Sequence, residues 1–186
     1  MDNQEIECRF LEIDVPALKK RLVELGAEDR GEDLFFEMIF YSRDKKWDDN
    51  HRGFVKIRQT KHGIELTHKR HYAETVDGTL EITVNISDAQ KARELLEALG
   101  FPMFRQQEKK RHTFKLGEVI VDIDTWPKIP TYVELEGPSE QAIKAVAKDL
   151  GLDWKDAVFD NPRLVIENHY HIPVGSYRYF TFDKMG

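Results

Sequence analysis

The feature that most constrains this chain is an alternation that recurs from segment to segment, with charged side chains on one parity and large apolar side chains on the other. In Glu5-Ile6-Glu7-Cys8-Arg9-Phe10 the apolar Ile6, Cys8 and Phe10 share one face of an extended chain, and Glu5, Glu7 and Arg9 share the other. Same-face neighbours on a strand stand about 7 Å apart. Val55 and Ile57 oppose Lys56 and Arg58; Leu66 and His68 oppose Glu65, Thr67 and Lys69; Ile82 and Val84 oppose Glu81, Thr83 and Asn85. Further on, Lys109, Arg111, Thr113 and Lys115 align on one face, Asp122 and Asp124 oppose Val121 and Ile123, and Glu134 and Glu136 oppose Val133 and Leu135. One such strand would simply turn its charged face to water. Repetition over so many strands implies a shared charged surface.

Helices fall between these strands. Leu18, Leu22 and Leu25 recur at helical spacing, with Asp14 as the cap, Pro16 in the first turn and Gly26 after the end. A second helix is expected to open at Ser87, with Gln90 completing a capping box, and to close at Gly100; a third runs from Ser139 to Gly151. The sequence of acidic strand then helix at 5–26, 81–100 and 134–151 reads as internal duplication, too irregular for a solenoid. A strand is expected at 34–41 and a polar loop at 42–52, whose Asp44, Asp48, Asp49 and Asn50 lack calcium-loop spacing. Asp77-Gly78 is read as a turn, and 126–130, with two prolines, as a rigid connector.

The helices must bury their apolar stripes, and the apolar faces of the strands are the available partner. An α+β fold follows. In an open, flat sheet the charged faces would be solvated; in a closed antiparallel barrel with amphipathic helices packed outside, they would line the interior. That interior would hold the cations Arg9, Lys56, Arg58, Lys69, Lys109 and Arg111 beside the acids Glu5, Glu7, Glu81, Asp124, Glu134 and Glu136. Lysine and arginine hold phosphate oxygens, and paired carboxylates hold Mg2+ or Mn2+. Mutual neutralisation as buried ion pairs is the competing account, and desolvation makes it a poor use of an interior. A small-molecule polyphosphate is the ligand class that needs both sets.

Composition narrows the rest. The 186 residues suit a single domain, and a net charge of −6 argues against a nucleic-acid polymer as partner. The single cysteine, Cys8, excludes an intrachain disulfide, and neither an apolar leader nor an 18-residue apolar run occurs. A cytoplasmic protein with no membrane association is therefore expected.

The ordered set Glu5-x-Glu7-x-Arg9, Lys56-x-Arg58, Leu66-Thr67-x-Lys69, Glu81, Lys109-x-Arg111, Asp124 and Glu134-x-Glu136 resembles the CYTH superfamily, the triphosphate tunnel metalloenzymes, from about Glu5 to Gly151. That superfamily includes inorganic and thiamine triphosphatases, class IV adenylyl cyclases and RNA triphosphatases. The resemblance implies an eight-stranded antiparallel barrel whose tunnel binds triphosphate and Mg2+ or Mn2+. It implies Glu5, Glu7, Glu134 and Glu136 as metal ligands, joined by Glu81 and Asp124. It also implies Arg9, Lys56, Arg58, Lys109 and Arg111 as triphosphate ligands, and Lys69 as the residue that activates or positions the nucleophile. Two positions depart from the pattern: Arg9 stands where lysine is usual, and Thr83 where many triphosphatases carry a second glutamate, as in class IV cyclases with one acid in that strand.

Remaining candidates are weaker. His169 and His171 would share one face of a strand but have no third ligand, and Cys8 reads as a small buried hydrophobe. Residues 152–186 read as a partly helical segment broken at Asn161-Pro162, then an aromatic tail expected to act as a barrel plug, a homodimer contact or a substrate lid.

Overall fold

The computed structural model of the protein describes residues 6–42, 53–71 and 79–186; Glu5, the acidic stretch 43–52 and the Asp77-Gly78 turn lie outside the described residues. The chain runs β1 (Glu7–Phe10), α1 (Val15–Glu24), β2 (Glu28–Phe40), β3 (Gly53–Thr60), β4 (Gly63–His71), β5 (Thr79–Ile86), α2 (Ala89–Ala98), β6 (Met103–Leu116), β7 (Val119–Thr125), β8 (Tyr132–Glu136) and α3 (Glu140–Asp149). Eight strands pair in the order β1-β8-β7-β6-β2-β3-β4-β5, antiparallel at every step, and a short β9 (Tyr179–Phe180) adds to β6 in parallel.

The fold is α+β, with helices on the outer face. The ring expected of a closed eight-stranded barrel is not completed by backbone pairing among the described residues: β1 and β5 end the path without pairing to each other. The reason lies at β1, which is only four residues long. Its free edge is taken by the tail, where Arg9 and Val158 exchange two backbone hydrogen bonds of 2.8 Å. That contact also satisfies backbone groups that an edge would otherwise expose. No helix among the described residues is long and apolar enough to cross a membrane.

Parity decides what faces where. Cys8, Phe10, Phe114, Val121, Ile123, Val133 and Leu135 point outward and are buried beneath Leu18 and Leu22 of α1 and Ile143, Val146 and Ala147 of α3. A second outer cluster joins Met38, Phe40, Val55 and Ile57 to Leu96 of α2. The α1 and α3 caps are as expected: Asp14 accepts from the Ala17 amide at 3.0 Å, and Ser139 from the Ala142 amide at 3.1 Å. At α2 the cap is Asp88, one residue later than expected, accepting from the Lys91 amide at 3.0 Å. A carboxylate next to a serine can take the same role and adds negative charge at the positive end of the helix dipole.

β2 is longer than its apolar pattern indicated. β2 begins at Glu28 because its polar first half pairs with the distal half of β6, Glu28 opposite Lys115 and Asp33 opposite Arg111. A bulge between Asp29 and Gly31 bends it, and Gly31 takes φ +86°, a value that favours glycine.

The tail folds as a single 3-10 turn at Trp154–Asp156, a short helix α4 (Pro162–Leu164) running into a π-helical turn (Val165–His169), and a further 3-10 turn at Val174–Ser176. His169 and His171 therefore do not share a strand face. His169 sits in the π turn and His171 has φ +56°.

Candidate functional site

The inner face of the sheet collects the charged side chains. Arg9, Glu37, Lys56, Arg105, Lys109, Asp122, Asp124 and Glu134 are all buried, Asp124 completely and Arg9 to 98%. Burying so many ions is costly unless each meets a partner, and they do.

On the β1-β8-β7-β6 side, Arg111 is the hub. Its Nε and Nη2 donate to Asp124 at 2.6 Å each, Nη1 donates to Asp122 at 2.6 Å, and Nη2 donates to Glu134 at 2.8 Å. Lys109 donates to Asp124 at 2.7 Å. Arg9 donates through Nη2 to Glu7 at 2.8 Å, pairs with Glu134 at 2.6 Å, and donates through Nη1 to the Asp160 carbonyl at 2.9 Å; its buried Nε has no hydrogen-bond partner. The planar fork reaches these three partners from two separate nitrogens, Nη1 and Nη2, a spread that the single nitrogen of a lysine does not have.

On the β2-β3-β4-β5 side the hub is a carboxylate, Glu37. It accepts from Arg58 Nε at 2.9 Å and from Gln107 at 2.7 Å, with Lys56 Nζ at 3.8 Å. Lys69 Nζ lies 3.2 Å from Glu81, and the Thr83 hydroxyl bridges to Thr67 at 3.0 Å and Glu81 at 3.3 Å. The two halves meet at Phe35, whose ring centre lies 5.0 Å from the Arg58 guanidinium, 5.4 Å from Lys109 Nζ and 5.6 Å from the Arg111 guanidinium.

Titration follows from these surroundings. Burial would raise the Glu37 and Glu134 carboxyls, but Lys56 and Arg58 around the first, and Arg9 and Arg111 around the second, hold both well below the carboxylate range. Burial, aided by neighbouring Arg58 and only partly opposed by Glu37, lowers Lys56 to about 8. Burial and Arg111 lower Lys109 as well. Cys8 faces the outer core and burial pushes its thiol up to about 12, an inert position.

One end of this face is covered by the tail. Val165, Ile166, Val174 and Phe180 pack on Trp126, Ile129 and Tyr132, and Trp126 lies 5.4 Å from Lys109 Nζ. This packing seats the tail over that end of the charged face. Near the other end, Lys115, Glu118, Ile120, Glu136, Gly137 and Pro138 line an open cleft of about 440 Å³.

The structure thus brings Arg9, Lys109, Arg111, Asp124, Glu134 and Glu7 together, and sets Lys56 and Arg58, then Lys69 and Glu81, on the facing strands. Glu136 stands directly across from Glu7, at the end of the face that carries the cleft. Glu5 is outside the described residues. The described members of the expected metal set are drawn from β1, β5, β7 and β8. Among the described residues no three His, Cys, Asp or Glu are grouped closely enough to hold an ion. Each buried acid is instead claimed by a guanidinium or ammonium. The donors themselves are hard oxygens, the type that Mg2+ and Mn2+ take.

Glu37, Gln107 and Phe35 were not anticipated as site residues. A lone acid inside the apolar run Leu34–Phe40 was the available signal for Glu37.

A CYTH domain model matches residues 3–158, most of the chain. The protein belongs to the CYTH family. Solved structures agree with this CYTH fold: a conserved Pyrococcus furiosus protein is 24% identical, with TM-score 0.71 over 85% of this chain and 97% of its own. A Vibrio parahaemolyticus protein, provisionally described as an adenylate cyclase, is 14% identical, with TM-score 0.75 over 90% and 99%. The Hippeastrum protein HpAC1, provisionally an adenylyl cyclase and described as having a dominant triphosphatase activity, is 14% identical, with TM-score 0.63 over 89% and 96%. At these identities the likeness concerns the fold. Among curated proteins none is significantly similar in sequence.

Proposed function

We propose that this CYTH protein is a divalent-metal-dependent triphosphatase acting on inorganic triphosphate or a small organic triphosphate such as thiamine or nucleoside triphosphate. The observation that carries the reading is the buried, mutually paired charge of the inner face, with Lys109, Asp124 and Glu134 all under a tenth exposed. Apolar residues of the same volume would stabilise the fold as well or better, so a ligand-binding role explains why the charges are there. The same face is proposed as the lining of a triphosphate tunnel.

The pairs of Lys109 and Arg111 with Asp124 and Glu134 are the ones a ligand would exchange. A triphosphate would place anionic oxygens against Lys56, Arg58, Lys109 and Arg111; Asp124 and Glu134, freed from Lys109 and Arg111, would with Glu7, Glu136, Glu5 and Glu81 be the residues to hold Mg2+ or Mn2+. The bound ion would neutralise charge on the phosphate oxygens. Arg9, anchored on Glu7 and Glu134, has one buried donor left for a phosphate oxygen. Lys69, beside Glu81, orients the water that attacks the terminal phosphorus. Phosphoryl transfer needs mainly such positioning and electrostatic stabilisation.

A class IV adenylyl cyclase is the second reading, favoured by Thr83: its hydroxyl is tied to Thr67 and Glu81, leaving one acid on the inner face of β5. In that reaction the ribose 3′ hydroxyl attacks the α-phosphorus and pyrophosphate leaves.

Purified protein with Mg2+ or Mn2+ is expected to release orthophosphate from inorganic triphosphate, to lose this with EDTA, and to lose about 100-fold or more of the rate in Lys69→Ala. Cyclic AMP and pyrophosphate from ATP would instead establish the cyclase. Binding without turnover of either substrate would leave a non-catalytic polyphosphate binder.

A further inference from the structure

Among the acidic groups of the inner face that the triphosphatase reading does not use, Glu37 has the most extended set of partners. Glu37 sits on β2 within an apolar strand, 3% exposed, and both its oxygens are engaged: one by Arg58 and Lys56, the other by Gln107. Gln107 is itself held, accepting from Arg105 Nε at 2.8 Å, while Arg105 Nη1 donates to the Val174 carbonyl at 2.9 Å. Glu37, Lys56, Arg105 and Gln107 are each at most 9% exposed, and Arg58 is partly exposed. A single hydrogen-bonded line therefore runs from the tail that covers one end of the face, through Arg105 and Gln107, to Glu37 and Arg58, with Lys56 Nζ 3.8 Å from the same Glu37 oxygen.

We propose that Glu37 is a positioning residue for triphosphate, fixed in place by the tail through Arg105 and Gln107, and that it keeps Lys56 in its ammonium form and Arg58 aimed at the ligand. The proposal rests on the reading of the inner face as a triphosphate site.

The placement of charge supports it. Lys56 is faced by Arg58 on its own strand, Glu37 on β2, Lys69 on β4 and Glu81 on β5. Burial is the main influence that lowers Lys56 to about 8, and two of the four neighbours, Arg58 and Lys69, are cations that add to it. Glu37, 3.8 Å away, is the only acid paired with it among the ion pairs of the described residues. Gln107 makes the arrangement directional. An amide donating to Oε2 of Glu37 leaves Oε1 turned toward Arg58 and Lys56.

The sign of the pH effect is then fixed. Lys56 is cationic below about 8 and neutral above it, so its share of triphosphate affinity is present at low pH and lost as pH rises through that value. In Glu37→Gln the ammonium loses its counter-charge, and its midpoint falls by about one unit or more. Below that new midpoint the variant carries one negative charge fewer near the ligand and binds triphosphate as tightly as the native protein, or more tightly. Above it, binding fails sooner. Mere structural damage would weaken binding by the same factor at every pH.

The test uses the full chain with 13C-labelled lysine methylenes, the Lys56 resonance being assigned by its loss in Lys56→Met. Its NMR titration is followed in native protein, Glu37→Gln and Glu37→Asp, alongside calorimetric titration with inorganic triphosphate at pH 6.5 and 9. The expected result is a Lys56 midpoint near 8 in the native protein, lower in Glu37→Gln and restored toward the native value in Glu37→Asp, which keeps the charge. The variant-to-native ratio of triphosphate Kd should rise about tenfold or more between the two pH values. An unchanged Lys56 midpoint in Glu37→Gln, or a Kd ratio independent of pH, overturns the proposal. If the native protein binds no triphosphate, the triphosphatase reading fails, and the positioning role falls with it, even where the lysine titration still shows that Glu37 sets the Lys56 charge.

Discussion

Replacing Arg111 with methionine is expected to lower stability by about 3–5 kcal/mol, the loss typical of removing one member of a buried ionic network. The size follows from the arrangement: one guanidinium donates four hydrogen bonds to Asp122, Asp124 and Glu134. Asp124 retains Lys109, Glu134 retains Arg9 and Asp122 retains the Thr113 hydroxyl, so none is left entirely alone. Their summed negative charge nevertheless loses its central cation. For a chain of this length the loss corresponds to a fall of roughly 10 °C in Tm. Differential scanning calorimetry checks it, and Mn2+ adds a second readout. If these oxygens can hold a divalent ion, Mn2+ should raise the Tm of the variant more than that of the native protein. A variant as stable as the native protein would show that the network is not under electrostatic load.

The second large effect is expected at the tail. Phe180 is fully buried, its ring stacked with Trp126 at 6.2 Å, and its backbone pairs with Gln107 through β9. Phe180→Ala should cost about 3–5 kcal/mol, as large-to-small changes in packed cores do. Because Trp126 lies beside Lys109, the same change should also redshift tryptophan emission and weaken triphosphate binding, while Phe182→Ala, at a partly exposed position, should do neither. Urea denaturation and fluorescence on the two variants separate a tail that merely hangs on the surface from one that supports the charged face.

Much of the inner face could be read from alternation alone. The parity of Lys109-x-Arg111 and of Glu134-x-Glu136 is the parity found, because a strand buried on its apolar side has no freedom to present any other. The α1 and α3 caps were legible for a similar reason: a short polar side chain just before an apolar-periodic run has one strong local use.

Other features lay outside such local rules. The first half of β2, Glu28 to Asp33, is polar and without alternation; it is a strand because a long β6 offers it partners from Arg111 to Lys115. The α2 cap moved from Ser87 to Asp88 because both neighbours can cap and local pattern does not rank them. Glu37 was hidden by its surroundings, since an acid between Phe36 and Met38 signals little until Arg58 and Gln107 are known to face it. The tail has no period, and its seat on Trp126 and Tyr132 depends on contacts distant in sequence. Alternation showed that acids and cations share this face, but the particular pairing of the acids with Arg9, Lys109 and Arg111 depends on register between strands distant in sequence.

That last point defines the central claim, that the paired charges of the inner face exchange their partners for a triphosphate. Calorimetric titration of inorganic triphosphate into the native protein, Lys56→Met and Arg58→Met, in the presence of Mg2+, tests it most directly. The account predicts saturable binding by the native protein, weakened about 10-fold to 100-fold in each variant, the value of a hydrogen bond to a charged group. No binding by the native protein, or equal binding by all three, would contradict it.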